Sequence, residues 1–459
     1  MKQPSSACQL NRRQFITTTG AAAFAAAFPT IIPSSALGKD GAVAPSNRVA
    51  VGVIGCGPQG LADMGNFLNQ ENCQVVAVCD VKKDQLEQAR AAVNGRYQNQ
   101  DCRTYHDFHE LVARPDIDAC LIATPDHWHV LAALAAVRAG KDVYLEKPLA
   151  VTLEEGQVLR AAVRRHKRVF QFGTQQRSER VFRVACELAR NGVLGKLNHI
   201  NVWGPGSAPG GSLEVVPVPD GWDYDRWLGP APFKPYTQDR LSADKKTWWF
   251  ISDYTLGFIT GWGIHPIDIA VWGASDLMDG LVTVEGRGDF LLAEGVCDTA
   301  TIWEVDYQFA GGLTLKFVGA PNNSPGQPFL HLEEWKKRYR QIEGHGTAFE
   351  GSDGWAEVHR GGINLQPESL MDMKADDLKV KLTASTNQAR NFLDCVKSRA
   401  EPVSPIEAAV KSDMLCHIAD IAIRLNRKLT FDMNKEHFVG DEAANRRLKV
   451  RPMRKPWKI

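Results

Sequence analysis

The sequence predicts an α/β protein of two domains: a doubly wound parallel sheet first, then a sheet with one open face. Three observations carry this. Short buried apolar runs alternate with helix-length segments from Val49 to Phe172. A glycine cluster, Gly55-Cys56-Gly57-Pro58-Gln59-Gly60, closes the first of those runs. From about Gly173 the pattern changes to longer strands that alternate apolar and polar residues.

The first run is Val49 to Ile54, and the second, Val75 to Cys79, ends at Asp80, twenty residues past the last glycine. Strand, glycines, helix and a terminal acid at this spacing form a dinucleotide-binding fingerprint. Gly55 permits the tight turn, Gly57 lets the backbone approach a pyrophosphate, and Gly60 lets the helix pack on the strand. Pro58 and Gln59 open that helix, whose free N–H groups and dipole favour phosphate. The plainer alternative is a glycine-rich turn that binds nothing. A carboxylate at Asp80 suits both ribose hydroxyls of NAD and repels the 2′-phosphate of NADP. Lys82 and Lys83 soften that preference, so NAD is expected and NADP stays open.

Later elements follow in order. Lys83–Val93 and Phe108–Val112 read as helices, and Asp118–Ala123 as a buried strand. His127–Ala139 reads as a helix, Asp142–Leu145 as a strand, Leu153–His166 as a helix and Val169–Phe172 as a strand. Ligands of such sheets lie beyond the carboxyl ends of the strands. Those ends carry Asp80, Thr124-Pro125-Asp126-His127-Trp128-His129 and Glu146-Lys147-Pro148. A lysine at Lys147 can polarise a hydroxyl or carbonyl, or exchange a proton; alternatively it caps a strand at the surface. His127 and His129, two apart on a helix, point away from each other, which speaks against a metal. Their expected role is to line the nicotinamide pocket, with Trp128 packed on the cofactor.

In the second half, Val181–Arg190 reads as a helix; Leu197–Trp203, Leu281–Arg287, Thr299–Phe309 and Leu313–Val318 read as strands. Between them Gly204–Leu256 is rich in Pro, Gly and Trp, and a connection this long is usually functional. Seven of the twelve tryptophans fall between 203 and 272. Most should form the loop's own core, and Trp262 or Trp249 should face a substrate, since indole faces suit pyranose C–H faces. Thr386–Ser398 and Pro405–Arg424 read as helices that pack back on the body.

Composition bounds the rest. Net charge is +1, with acids and bases mixed, which gives no footprint for nucleic acid. The ten cysteines show no ligand spacing and read as small buried hydrophobes of a protein folded under reducing conditions; a few disulfides stay open. Asn11-Arg12-Arg13-Gln14-Phe15 before a mild apolar stretch, Gly20–Ile32, resembles a twin-arginine signal, with cleavage between Ala36 and Lys39. The alternatives are a disordered alanine-rich leader or an uncleaved envelope anchor. The division expected is a leader over 1–38, a cofactor domain over 46–172 and a second domain over 173–459. Export by that machinery to the periplasm is expected, with no membrane segment in the mature form. Such substrates cross folded, so the nucleotide is loaded in the cytoplasm.

Taken together, the glycine motif, Thr124-Pro125, Glu146-Lys147-Pro148 and Gly263-Ile264-His265-Pro266-Ile267-Asp268 resemble the glucose-fructose oxidoreductase / inositol dehydrogenase / rhizopine catabolism family. Further segments of the resemblance are Gly173-Thr174-Gln175-Gln176-Arg177, Trp222-Asp223 to Trp227-Leu228-Gly229-Pro230, and Asn391-Phe392-Leu393-Asp394-Cys395. The likeness covers most of the chain after the leader and is strongest to exported bacterial members. It implies a Rossmann domain, a C-terminal α+β domain with a large, mostly antiparallel open-faced sheet, and an active site between them. It implies hydride exchange between a sugar or cyclitol carbon and the nicotinamide, and oligomers formed through the open sheet. The family lysine maps to Lys147 and its histidine to His265, and these two are the expected catalytic residues, sharing the proton as the cofactor takes the hydride, with Asp268 beside them. Glu146 and Gln175 join the cofactor residues; Arg177, Asp253, Tyr254, Trp262 and His265 are candidate substrate residues. The family often has an aspartate four residues before the histidine, where this chain has Gly261. Asp268, one turn after His265, is the substitute expected to orient the imidazole; a structural helix contact is its other reading. Three functions stay open: oxidoreductase of a sugar, glycoside or cyclitol; NAD-dependent glycosidase or lyase working through a transient keto-sugar; and non-catalytic sugar-binding protein.

Overall fold

The computed structural model describes residues 47–242, 245–290, 292, 295–320, 332–340, 343–373 and 378–459. The expected leader and its cleavage site lie outside them. Residues Val49–Ile459 form one compact unit.

Its first sheet has six parallel strands: β1 (Val49–Ile54), β2 (Cys73–Cys79), β3 (Arg103–Tyr105), β4 (Ala119–Ile122), β5 (Asp142–Leu145) and β6 (Phe170–Phe172), in the order β3-β2-β1-β4-β5-β6. The order reverses at β1, which pairs with β2 on one edge and β4 on the other. Crossovers leave opposite faces on the two sides of β1, so a crevice opens at its carboxyl end. The strands are covered by helices on both faces, which is why they are continuous apolar runs rather than alternating ones.

The second sheet has nine strands in the order β13-β12-β11-β7-β10-β9-β8-β14-β15. They are β7 (Leu197–Pro205), β8 (Leu281–Asp289), β9 (Ile302–Phe309), β10 (Thr314–Ala320), β11 (Gly346–Gly351), β12 (Trp355–His359), β13 (Gly362–Gln366), β14 (Leu429–Asp432) and β15 (His437–Phe438). The β7–β10 pair is parallel and the other pairs are antiparallel. The sequence reading found β7 to β10 and missed the shorter strands, whose apolar periods are too brief to register. Alternation along β8 to β10 puts Val282, Val284, Val305 and Tyr307 in the core. It leaves a charged ladder outside, with Lys316 paired to Glu304 and Asp306 at 2.8 Å each. Helix Ile264–Ala274 lies inside the domain with every residue buried, as an all-round apolar helix must.

The late helices do return to the body. Gln388–Ser398 packs on the parallel sheet, where Phe392 meets Phe67 and Tyr144 with ring centroids 6.0 and 5.9 Å apart. Nine cysteines among the described residues are free and buried, in keeping with small apolar side chains.

Candidate functional site

The crevice at the end of β1 is a cavity of 380 Å³, and its glycine-loop wall follows from local features of the chain. Gly55 has φ +90°, and a Cβ there would stand 2.5 Å from the Ala123 carbonyl oxygen. A Cβ on Gly60 would stand 2.0 Å from the Gly55 oxygen, whereas one on Gly57 would meet nothing within 4 Å. So Gly60 is spent on packing the helix, and Gly57 leaves its backbone bare to the cavity. Pro58 starts helix Pro58–Leu68, its fixed φ and missing N–H suiting the first turn. Gln59 also lines the cavity.

Asp80 closes the glycine loop. One carboxylate oxygen accepts from the Cys56 N–H at 2.6 Å, and the other from the Lys82 N–H at 2.7 Å. Burial pushes its pKa up and these backbone donors pull it back. Beyond it the cavity is lined by His106, Phe108, Trp222, Arg226 and Trp457. Trp457 stands edge-on to Trp128 at 4.7 Å. Arg454 fixes that segment by donating to the Gly229 carbonyl at 3.0 Å.

The opposite end holds Thr124, Pro125, Asp126, Trp128, His129, Glu146 and Lys147. The Thr124 Oγ1 is buried without a hydrogen-bond partner among the described residues, as suits a group awaiting a polar ligand. The ring nitrogens of His129 lie 2.6 Å from the Pro148 carbonyl oxygen and 2.8 Å from that of Thr124. Burial lowers its pKa to about 4, so the ring is neutral and its single N–H donates to one of these two carbonyls. Glu146 accepts from the Lys147 N–H at 3.3 Å and from Gln175 Nε2 at 2.6 Å.

The Lys147 ammonium donates to the Gly261 carbonyl at 3.1 Å and stands 5.7 Å from the centroid of the Trp249 ring. The position without the family's usual aspartate thus bonds the lysine through its backbone. A side chain there would have room, the nearest neighbour of a Cβ being Phe258 at 3.7 Å. Asp126 lines the cavity with Lys147, as Asp80 and Glu146 do; its carboxyl is pushed up to about 7 by burial and pulled down by Thr255 and Lys147. Sequence reasoning passed over Asp126 as a site residue, although it stands in the Thr-Pro-Asp segment at the end of β4.

Several expected residues lie elsewhere. Asp268 is fully buried and does not orient His265; it accepts from Arg177 at 2.6 and 2.8 Å and from Ser412 Oγ at 2.8 Å. Arg177 is thereby withdrawn from any substrate. Tyr254 has no exposed surface and accepts from Arg240 at 3.2 Å, inside the core of the long loop. Asp253 is half-buried outside the cavity. His127 packs against Trp227 and Tyr254, behind the wall rather than on it. Gln175 reaches Glu146, not the cavity. Of the two indoles singled out, Trp249 lines the cavity and Trp262 does not. His265 is 4% exposed and lies beside the cavity; burial, then Lys147, Arg360 and His345, hold its pKa well below the usual value.

The loop tryptophans split as their surroundings dictate. Trp227 joins Tyr224, Leu228, Leu241, Ile251 and Tyr254 in a separate small core. Trp222, Trp227, Trp248 and Trp249 also present surface to the cavity.

Comparison with known proteins agrees with this fold. Residues 49–174 match the oxidoreductase family of the NAD-binding Rossmann fold, and residues 203–336 and 349–459 match the C-terminal alpha/beta domain of that oxidoreductase family. A glycosyl hydrolase family 109 protein of Shewanella baltica is 30% identical over 206 residues, 41% of this chain and 45% of the relative. An alpha-N-acetylgalactosaminidase of Shewanella oneidensis is 29% identical over the same share. The matched stretch therefore spans less than half the length of these relatives. Among solved structures, the WlbA dehydrogenase of Bordetella pertussis in complex with NADH and UDP-GlcNAcA superposes with a TM-score of 0.60 at 15% identity, covering 83% of this chain and 98% of that one. The scyllo-inositol dehydrogenase of Lactobacillus casei with NAD(H) and scyllo-inositol gives 0.56 at 16%, covering 83% and 99%.

Proposed function

The chain belongs to the glucose-fructose oxidoreductase / inositol dehydrogenase / rhizopine catabolism family, with an NAD-binding Rossmann domain, and from that premise we propose that it oxidises or reduces a hydroxyl-bearing carbon of a sugar, glycoside or cyclitol. The carrying observation is the Lys147 ammonium, presented on the cavity wall from the end of β5 and tethered to the Gly261 carbonyl. NAD, when bound, supplies the hydride acceptor at its nicotinamide ring. The glycine loop and Asp80 would hold its pyrophosphate and ribose, and the Thr124 hydroxyl, without a partner among the described residues, would meet a polar group of the ligand. Lys147 holds the proton at the substrate oxygen. Asp126, whose carboxyl titrates near neutrality, is the group to exchange it. The aromatic walls Trp248, Trp249 and Phe258 exclude water. The test is a panel of sugars, methyl glycosides and cyclitols with purified protein and NAD, followed by NADH absorbance. Absence of both nucleotide binding and any redox turnover rejects the reading.

A second reading has its own support in the relatives named as glycosidases. With NAD bound, oxidation at a ring carbon would acidify the neighbouring C–H; loss of that proton and of the aglycone would leave an unsaturated ketone, water would add at the anomeric carbon, and return of the hydride to the carbonyl would restore the sugar. Release of nitrophenol from nitrophenyl glycosides, dependent on bound NAD but without net NADH, would distinguish it.

Delivery to the periplasm through the twin-arginine route is part of the proposal, on the Arg12-Arg13 leader. Replacing both arginines by lysine and fractionating cells tests it; unchanged periplasmic delivery refutes it. Association through the outer face of the nine-stranded sheet is proposed likewise, and light scattering of the purified protein decides it.

A further inference from the structure

Trp262 is the centre of a group of basic side chains that the cavity leaves unused. The Arg360 guanidinium stands 4.8 Å over its ring. The His345 ring lies 4.9 Å away and the His265 ring 5.5 Å away. These groups come from separate elements: His265 from the start of helix Ile264–Ala274, His345 from just before β11, and Arg360 from the turn joining β12 to β13. Lys147, bonded to the residue preceding Trp262, adds its charge to the same imidazole of His265.

Donors here outnumber acceptors. His265 Nδ1 and His345 Nε2 are both buried with no hydrogen-bond partner among the described residues. Arg360 is exposed at the edge of the group; it stacks on Trp262 and forms no ion pair with a described carboxylate. Two acids are near. Glu179 feels the Arg360 charge across the group. Glu343 lies beside Gly361 and is turned toward His359, which is itself bonded to Glu357 at 2.9 Å. Neither forms an ion pair with Arg360. Buried polar atoms ordinarily have partners, and a planar guanidinium with its five donors matches a carboxylate's two oxygens.

We infer that Trp262, His265, His345 and Arg360 form a subsite for a carboxylate carried by the substrate, so that the preferred sugar is an acidic one. This rests on the reading of the neighbouring cavity as a sugar-oxidising site. The Arg360 fork binds the carboxylate, His345 and His265 complete its hydrogen bonds, and the ring is thereby held toward Lys147. One guanidinium and two neutral imidazoles match a single negative charge better than the double charge of a phosphate ester.

The test uses the full protein with NAD and follows thermal melting at constant ionic strength. The probes are glucuronate, galacturonate and gluconate, their neutral partners glucose, galactose and glucitol, and acetate and inorganic phosphate. A saturable upward shift with the sugar acids is expected, at concentrations at least about 10-fold below those needed for the neutral partners. R360Q should reduce that preference about 10-fold or more, and R360K should restore part of it, because charge survives but the fork does not. Equal response to acids and neutral sugars, no response to any acid, or a preference unchanged in R360Q would overturn the proposal. Tighter binding of phosphate than of the sugar acids would reassign the subsite to phosphate esters and equally overturn it. Failure of the redox reading looks different: no NAD is bound, while the acid preference and its dependence on Arg360 persist.

Discussion

Replacing Asp268 by asparagine should damage stability and leave NAD binding intact. The side chain has no exposed surface, and Arg177 beside it is 3% exposed. Both Asp268 oxygens accept from the guanidinium, and one also accepts from Ser412. The amide keeps the shape and removes the charge, which leaves the Arg177 cation buried with neutral acceptors alone: the amide oxygen and the backbone carbonyls of Val403 and residue 268 at 3.2 and 3.5 Å. Breaking one side of a buried pair costs about 3–5 kcal/mol, because the surviving charge stays desolvated. The unit Val49–Ile459 holds roughly 400 residues, so its unfolding entropy is about 0.9 kcal/mol/K when both domains melt together. The expected fall in Tm is about 3–6 °C by calorimetry. Combining Arg177→Met with Asp268→Leu removes both charges at once, so the double variant should recover most of the loss. An unchanged Tm in Asp268→Asn, or lost nucleotide binding at unchanged Tm, would refute the structural assignment and return Asp268 to the site.

Other expected outcomes concern the cavity and its surroundings. Lys147→Ala should lower turnover on an identified substrate by about 10²–10⁴-fold with NAD still bound by equilibrium dialysis, and Asp126→Asn should shift the neutral limb of its pH profile; near-normal turnover in Lys147→Ala would send the search elsewhere. Trp457→Ala removes an aromatic contact of about 1 kcal/mol, so the Kd for NAD should rise about 5-fold in a fluorescence titration. Glu155 is buried and its carboxyl is pushed up to about 7 by burial. A raised pKa gives stability that is complete below about pH 4.5 and is lost as pH rises through about 7. Glu155→Gln cannot lose that proton, so its Tm should fall less than that of the parent between about pH 5 and pH 8. The neutral buried histidines His127 and His129 act oppositely, losing stability as pH falls below about 6.5, and are common to both proteins, so the difference between the two curves is the readout.

The cofactor loop was legible in the sequence because its determinants are local. A strand, a turn that tolerates only glycine and a helix start lie within twelve residues, Val49–Gly60, and each states its own geometry. The same holds for Thr124-Pro125 and Glu146-Lys147, which follow buried strands directly. Strand and helix periods likewise gave the parallel sheet and four of the nine strands beyond it. What the sequence could not decide was which polar groups neutralise one another. Asp268 and His265 are three residues apart, yet the partner of Asp268 is Arg177, distant by 91 residues. Glycine at 261 reads as a missing carboxylate in one dimension; in three, its carbonyl holds Lys147, and Asp126 adds a carboxyl to the cavity. Trp457 carries no local signal at all, and it joins the cavity only because Arg454 binds the chain back to Gly229. Local spacing fixes backbone shape, since the relevant sterics act between near neighbours. Charge pairing and cavity walls depend on distances that only the packed domains set.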